Sequence, residues 1–355
     1  MMKILVINPG STSTKIAVFE DEKEIFSKSI EHSKEELAPF KKISDQLEFR
    51  KETILKALKE ANFDISKFDA ISSRGGNIHP VPSGTYLVNQ KMVDDMISLR
   101  YGAHPSNLGA PIAFELSSQY GMPAFIVDPV VVDEMEMVNK ITGIKGILRQ
   151  AKDHPLNQKA VAREVAKKLG KKYEECNFIV AHLGGGISVG AHRQGKIVDV
   201  NNCLHGDGPL TPERAGDIPN ISLVEMCFSG NYTKDEIVGI LAGKGGFVSH
   251  LGTNSLKEVL KRIYEGDEYA KLIYDAMVLQ ISKWIGIMAV VLKGNIDGII
   301  LTGGMANSED VVNDITGYVK FIAPIFVVAG EFEMKALMEG VLRVLRGEEK
   351  PKEYV

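Results

Sequence analysis

The stretch Lys3-Ile4-Leu5-Val6-Ile7-Asn8-Pro9-Gly10-Ser11-Thr12-Ser13-Thr14-Lys15-Ile16-Ala17-Val18-Phe19 sets a turn of glycine, serine and threonine between two apolar runs. Short apolar runs bounded by turn formers are predicted strands, so the segment reads as a hairpin. Glycine lets backbone N–H groups approach an anion closely, and hydroxyl side chains add donors, a composition suited to a polyphosphate. The design recurs in the second half, where Phe178-Ile179-Val180-Ala181 leads through His182-Leu183-Gly184-Gly185-Gly186-Ile187-Ser188 to a strand around Val189-Gly190-Ala191. One glycine-rich turn is usually only a turn. Two of similar design in separate halves imply a nucleotide held between two related domains.

The pattern around each hairpin supports the duplication. In the first half a third strand is expected near 24–27, a helix over about 45–61, strands at 70–73 and 124–127, and helices near 90–100 and 106–119. A helix over about 157–169 leads into the second half, which repeats the order with strands near 196–201, 298–301 and 324–328. Helices there are expected at 223–229, at 234–242 behind a Thr233/Glu236 capping box, and over about 268–293, with a last one near 333–346. Two similar βββαβα halves predict an α/β protein of duplicated domains with mixed sheets.

A chain of 355 residues, 44% of them hydrophobic, can bury two cores. Its net charge of −4 gives no general attraction for nucleic acid or an anionic membrane. Three cysteines, Cys176, Cys203 and Cys227, in no ligand-like spacing argue against a disulfide scaffold or a zinc site. The first strand begins at Lys3 and no uninterrupted apolar run reaches about 18 residues, so no signal peptide or membrane span is expected and the cytoplasm is the predicted location.

Three signatures resemble those of the acetokinase family, the acetate and butyrate kinases, within the superfamily of sugar kinases, heat-shock chaperone ATPases and actin. They are Asn8-x-Gly10-Ser11-x-Ser13-x-Lys15 as a first phosphate loop, His182-Leu183-Gly184-Gly185-Gly186 as a second, and Leu301-Thr302-Gly303-Gly304 as an adenosine loop. Asn8 stands where chaperone and sugar-kinase relatives carry an acidic residue. Gly304-Met305-Ala306-Asn307 departs from the Gly-Ile-Gly-Glu-Asn stretch of acetate kinases, which favours the butyrate branch. The resemblance implies two ribonuclease H-like (actin-like ATPase) domains with mixed β-sheets and an interdomain active-site cleft. Residues 1–152 with 335–355 would form an N-terminal acyl-substrate and phosphate-loop domain, and 153–334 a nucleotide-binding domain. It further implies ATP or ADP and Mg2+ as cofactors, a short-chain carboxylic acid as substrate, and a homo-oligomer.

The chemistry can be reasoned independently of the resemblance. A carboxylic acid with a pKa of ~4 to 5 is already ionised at pH 7, so phosphorylating it needs no catalytic base. An anion must attack an anion, so the site has to supply positive charge, hydrogen-bond donors and in-line geometry. Arg74, at a strand end before Gly75-Gly76, resembles the family's carboxylate-binding arginine, and Arg214, in Pro212-Glu213-Arg214-Ala215-Gly216-Asp217, its second active-site arginine. His154, in Asp153-His154-Pro155, matches the histidine that contacts the transferring phosphoryl group, and His104, in Ala103-His104-Pro105, a substrate-side histidine. His182 is expected to orient the second phosphate loop. Asp128 and Glu333 correspond to carboxylates associated with magnesium, with Glu331 close enough to compete for the second role.

In acetate kinases a valine sits two positions after the substrate arginine and a leucine precedes the substrate-side histidine; here those positions are Gly76 and Ala103. Removing methyl groups from a pocket wall leaves room for a longer acid, worth about 0.8 kcal/mol per buried CH₂. Butyrate or isobutyrate is therefore expected over acetate or propionate. Gly190–Ile197 nearly matches a P-loop but lacks Ser or Thr after Lys196 and leads into a predicted strand, so a hairpin turn is expected. A nucleotide-gated binding protein without acyl transfer is the alternative of a different class, and no added peptide-binding domain supports it.

Overall fold

A computed structural model describes all 355 residues, Met1–Val355. The chain forms two compact units, Met1–Val132 with Phe332–Val355, and Asp133–Glu331. The expected boundary at 152/153 thus falls earlier, and the return at 335 falls at Phe332. The reason is hydrogen bonding: in the 133–153 segment Glu136 N donates to Val198 O (3.1 Å), Arg149 reaches Asp199 Oδ1 (2.9 Å) and Val200 O (3.0 Å), and Lys152 O accepts from Cys203 N (2.9 Å).

In the first unit, β1 (Lys3–Pro9), β2 (Ser13–Glu20), β3 (Lys23–Glu31), β4 (Ala70–Arg74), β5 (Thr85–Leu87) and β6 (Ala124–Val127) form one sheet in the order β3-β2-β1-β4-β6-β5. β1, β2 and β3 are an antiparallel meander, while β4 and β6 run parallel to β1. Leu5, Ile7 and Ile71 pack with Ile54, Leu58, Ile112 and Leu116 of the helices Leu47–Glu60 and Gly109–Tyr120. The opposite face lies against the helix Glu333–Leu345, where Ser72 Oγ donates to Leu337 O (2.7 Å). Strands so covered read as continuous apolar runs, which is why they were legible.

The second unit repeats the plan with β7 (Asn177–Leu183), β8 (Ile187–Arg193), β9 (Lys196–Val200), β10 (Gly298–Gly303) and β11 (Ile325–Ala329) in the order β11-β10-β7-β8-β9. Again a three-stranded antiparallel meander is extended by two parallel strands, so the expected duplication with mixed sheets is present. Gln194 (φ +48°) and Gly195 (φ +84°) form the two-residue turn between β8 and β9, where the near P-loop lies.

The 24-residue helix Glu268–Val291 is long and apolar enough, by length and composition, to cross a membrane, although Lys271, Asp275 and Lys283 interrupt its sequence. Its Ile273, Met277, Ile281, Ile285 and Met288 are buried against Ile179, Ala181 and Val189, so it serves as a core helix. The helix Pro155–Lys168 covers the other face of that sheet. The sequence pattern omitted β5 and the helices Leu256–Tyr264 and Glu309–Val319. β5 is only three residues long.

Candidate active site

In the first unit the sheet register sets Asn8, Arg74 and Asp128 at neighbouring carboxyl ends of β1, β4 and β6, because Ile7 pairs with Ser73 and Arg74 with Val127. Ligands of parallel-stranded sheets gather at such ends. Glu333, in the first turn of the last helix, binds both neighbours: its Oε1 pairs with Arg74 Nη1, and its Oε2 accepts from Asn8 Nδ2 (2.7 Å). Glu331 lies elsewhere, on the wall of a cavity in the second unit.

Asp128 has φ +38°, an uncommon backbone for a non-glycine residue, and its buried Oδ1 accepts from Ser83 Oγ (2.5 Å) and Gly84 N (2.8 Å). Nowhere do three or more His, Cys, Asp or Glu side chains converge as a metal cluster. Asp128 and Glu333 nevertheless offer the hard oxygen donors that suit magnesium, which is content with one or two carboxylates when phosphates complete its shell. His104 Nδ1 lies 2.7 Å from Ser106 Oγ, and partial desolvation of the ring together with the nearby Arg74 charge holds it below the ordinary imidazole range.

The first phosphate loop is built from below by a residue the sequence pattern passed over. Arg50 is fully buried in the helix Leu47–Glu60, and its Nη1 donates to Gly10 O (2.8 Å), Ser13 O (2.9 Å) and Thr14 Oγ1 (3.0 Å), while Nη2 donates to Ser11 O (3.0 Å). Turning these carbonyls inward leaves Ser11 and Lys15 exposed and Ser13 half-buried on the outer side of the hairpin. Desolvation lowers the Arg50 pKa to about 10, which still leaves the guanidinium charged at neutral pH, and its donors are met by the loop carbonyls.

Gly76 departs from its expected role. A Cβ at this position would meet Asn107, whose main-chain N would lie only 2.7 Å away. Asn107 Oδ1 accepts from Asn77 N (2.8 Å), and its Nδ2 donates to Gly102 O (2.9 Å). The missing side chain therefore admits the Asn107 segment, so the space over Gly76 is filled by protein and not left for a longer acid. Ala103 is exposed in the adjoining 101–104 loop.

In the second unit the register pairs His182 with Ser188 across the β7–β8 hairpin and with Thr302 of β10. The His154 ring stacks on His182, with centroids 3.9 Å apart and planes at 12°. Pro155 occupies the first helical turn directly after His154, which fixes the ring's origin at the helix start. Asn157 Nδ2 lies 2.8 Å from His182 Nδ1 and donates also to Thr302 Oγ1 (3.2 Å). An amide nitrogen can only donate, so His182 accepts at Nδ1 and carries its hydrogen on Nε2.

The Gly184-Gly185-Gly186 turn rests on the loop that carries Arg214. Thr211 Oγ1 donates to Gly185 O (2.5 Å) and accepts from the Arg214 (2.9 Å) and Glu213 (3.1 Å) amides. Arg214 Nε and Nη1 are buried without a hydrogen-bond partner, and Glu213 Oε2 stands 3.8 Å from Nη1. A guanidinium with unmet donors beside a glycine loop is arranged for an anion. The Arg214 side chain fills the space over Gly186, where a Cβ would come within 2.7 Å of Cζ. Gly303 (φ +86°) adopts a left-handed backbone, and Gly303 and Gly330 exchange backbone hydrogen bonds (3.2 and 3.0 Å).

Gly184, Gly304, Asn307, Leu260 and Tyr264 help to line a cavity of about 940 Å³. Its outer wall comes from the helix Leu256–Tyr264, which the sequence pattern missed although Leu256, Val259, Leu260 and Ile263 lie at helical spacing behind the Ser255 cap. Asn157 and Arg50 had no local signal, since each acts on residues remote in sequence, and the Thr211 turn with Glu213 and Arg214 gives no hint of its bond to Gly185.

The acetokinase family model matches residues 137–326. Over 354 residues the chain is 53% identical to butyrate kinase 1 of Clostridium acetobutylicum, with 100% of both chains covered. The fold is similar to the crystal structure of acetate kinase from Porphyromonas gingivalis, with a TM-score of 0.80 at 18% identity over 97% of this chain and 100% of that one. It is similar also to that of a propionate kinase from Francisella tularensis, with a TM-score of 0.76 at 19% identity over 96% and 99%. With a family model across more than half its length and a full-length relative at this identity, the chain belongs to the acetokinase family.

Proposed function

We propose that this protein is an ATP-dependent carboxylate kinase that converts butyrate, or a branched acid of similar length, to its acyl phosphate, reversibly and by direct in-line transfer. The observation that carries the proposal is the full-length 53% identity to a butyrate kinase. The site chemistry agrees with it: cations and neutral donors abound, and no catalytic base is needed for an acceptor that is already ionised.

In this assignment Arg74, with His104 and Ala103 beside it, receives the acid in the first unit. Asn8, Ser11, Ser13 and Lys15 form the first phosphate loop and Gly184–Gly186 the second, and Thr302, Gly303 and Gly304 with the 940 Å³ cavity take the adenosine. Arg214 and His154 stabilise the transferring phosphoryl group, and His182 orients the loop. Asp128 and Glu333 would hold magnesium, which supplies charge neutralisation at the phosphate oxygens. Glu333 pairs with Arg74 at Nη1, so the acid shares the five N–H donors of the guanidinium with that carboxylate. Ile221, Val224 and Phe228 are exposed on the helix Asn220–Phe228, none of whose residues is buried, which supports a homo-oligomer. Three free cysteines support a reducing cytoplasm.

Hydroxylamine trapping over a panel of C2 to C6 acids with MgATP tests the assignment. Acyl hydroxamate is expected, with the highest kcat/KM at a four-carbon acid and activity on neighbours reduced by roughly 10- to 200-fold per methylene. A maximum at acetate would make the protein an acetate kinase, and ATP hydrolysis without hydroxamate on any acid would overturn the kinase assignment.

A further inference from the structure

We propose that a directional hydrogen-bond chain, Tyr173 to His192 to Gln158 to Ser188, fixes the tautomer of His154 so that its ring hydrogen is on Nε2, making Gln158, Ser188, His192 and Tyr173 positioning residues for phosphoryl transfer. The proposal rests on the assignment of His154 to the phosphoryl group.

The chain is continuous and short at every link. Tyr173 Oη lies 2.7 Å from His192 Nδ1, and His192 Nε2 lies 2.8 Å from Gln158 Oε1. Gln158 Nε2 donates to Ser188 Oγ (2.7 Å), which in turn lies 2.8 Å from His154 Nδ1. The four linking residues are buried, and Gln158, Ser188 and His192 have no exposed surface. Their alignment follows from local geometry: His154 and Gln158 are one turn apart on the helix start, while Ser188 and His192 share a face of β8. Between the latter two stands Gly190, where a Cβ would come within 2.5 Å of Gln158 Oε1, so the glutamine can lie across the strand only over a glycine.

Donor direction propagates from the Gln158 amide. Its oxygen only accepts, so His192 carries its hydrogen on Nε2 and accepts the Tyr173 hydroxyl at Nδ1. The amide nitrogen only donates, so Ser188 accepts from it, and of the two contacts of this buried hydroxyl only His154 Nδ1 can accept its hydrogen, which points there. A second donor faces the same nitrogen. Cys203 Sγ lies 3.8 Å from His154 Nδ1, and burial together with the Asp153 charge pushes its thiol up to about 12, so it keeps its hydrogen. His192 is held neutral by burial and by the Lys159 and Arg163 charges, which prevents the chain from being broken by protonation at its centre. With Nδ1 committed as acceptor, His154 carries its ring hydrogen on Nε2, as His182 does, so the two stacked rings share one tautomer. Reversal of the Gln158 amide would reverse every link and place the hydrogen on His154 Nδ1.

The test is multiple-bond ¹H–¹⁵N correlation on the full chain with ¹⁵N-labelled histidine, with His154 assigned by loss of its signals in His154→Gln. The expected wild-type signature is an unprotonated Nδ1 and a protonated Nε2. In Gln158→Met both tautomers should appear and kcat should fall roughly tenfold, as for loss of groups that orient a ligating histidine, with both KM values unchanged. Tyr173→Phe, which keeps the ring, should admit the second tautomer even if Gln158→Met does not fold. A wild-type hydrogen on Nδ1, or a folded variant with the wild-type tautomer, would overturn the proposal. If the signature is present but His154→Gln retains full kcat, the chain stands and the phosphoryl role of His154 falls.

Discussion

Replacing Gly76 by alanine separates two accounts of the same residue. Residue comparison alone makes Gly76 an emptied pocket wall, so a methyl there should narrow the acyl site and favour shorter acids. The structure places that methyl 2.7 Å from the main-chain N of Asn107, with Asn107 Cα and Oδ1 also in its way. Overpacking costs about 1–3 kcal/mol where side chains can give way. Here backbone must move, and the move opens the Asn77 N to Asn107 Oδ1 and Asn107 Nδ2 to Gly102 O bonds (2.8 and 2.9 Å). Both bonds are only partly buried, so each adds about 1 kcal/mol when opened, for a total of about 3–5 kcal/mol. That is a large share of the ~5–15 kcal/mol that holds a domain folded, and at ~2–4 °C per kcal/mol it lowers the melting temperature by roughly 10 °C. Thermal melts of ligand-free Gly76→Ala and wild type read the loss directly, with Ala103→Leu in the exposed loop as a control expected to stay within about 0.5 kcal/mol. A Gly76→Ala protein that melts within about 2 °C of wild type and prefers acetate would refute the filled-space account.

Gly186→Ala forces the Arg214 guanidinium aside while leaving the β7–β8 core untouched; kcat should drop by about 10²-fold with little change in the melt, and unaltered kcat would exclude Arg214 from the transition state. Arg50→Lys cannot span Gly10, Ser11 and Ser13 with the same fork, and losing one charge-assisted bond of about 1.5–3 kcal/mol should weaken nucleotide binding by calorimetry; an unchanged Kd would show that the loop holds its shape without Arg50. Burial raises the Asp153 pKa from 3.8 to about 7, so between those values the native chain binds a proton that the unfolded chain releases. Its contribution is therefore most favourable at the acid end, declines as pH rises through that window and levels off above about 7, and Asp153→Asn should remove the decline. Equal changes in melting temperature from pH 5 to pH 8 in both proteins would contradict this.

What the sequence determined by itself was whatever a short window contains. The apolar runs at Lys3–Pro9 and Asn177–Leu183, each followed by a glycine-rich turn, specify their hairpins because strand pairing across a tight turn is local, and their recurrence specifies the duplicated mixed-sheet plan. The placement of Arg74, Asp128 and His154 at a strand end or helix start was legible for the same reason, being marked by their own neighbours. Which of these groups meet, and what surrounds them, is set by long-range packing. Glu333 reaches Asn8 across 325 positions of sequence, Arg50 supports a loop 40 residues before it, and the space beside Gly76 belongs to Asn107. A buried arginine in an amphipathic helix, or a glutamine lying over a glycine, has no local mark. Its partners are chosen by packing, because a buried polar group must find its donors and acceptors wherever the folded chain brings them.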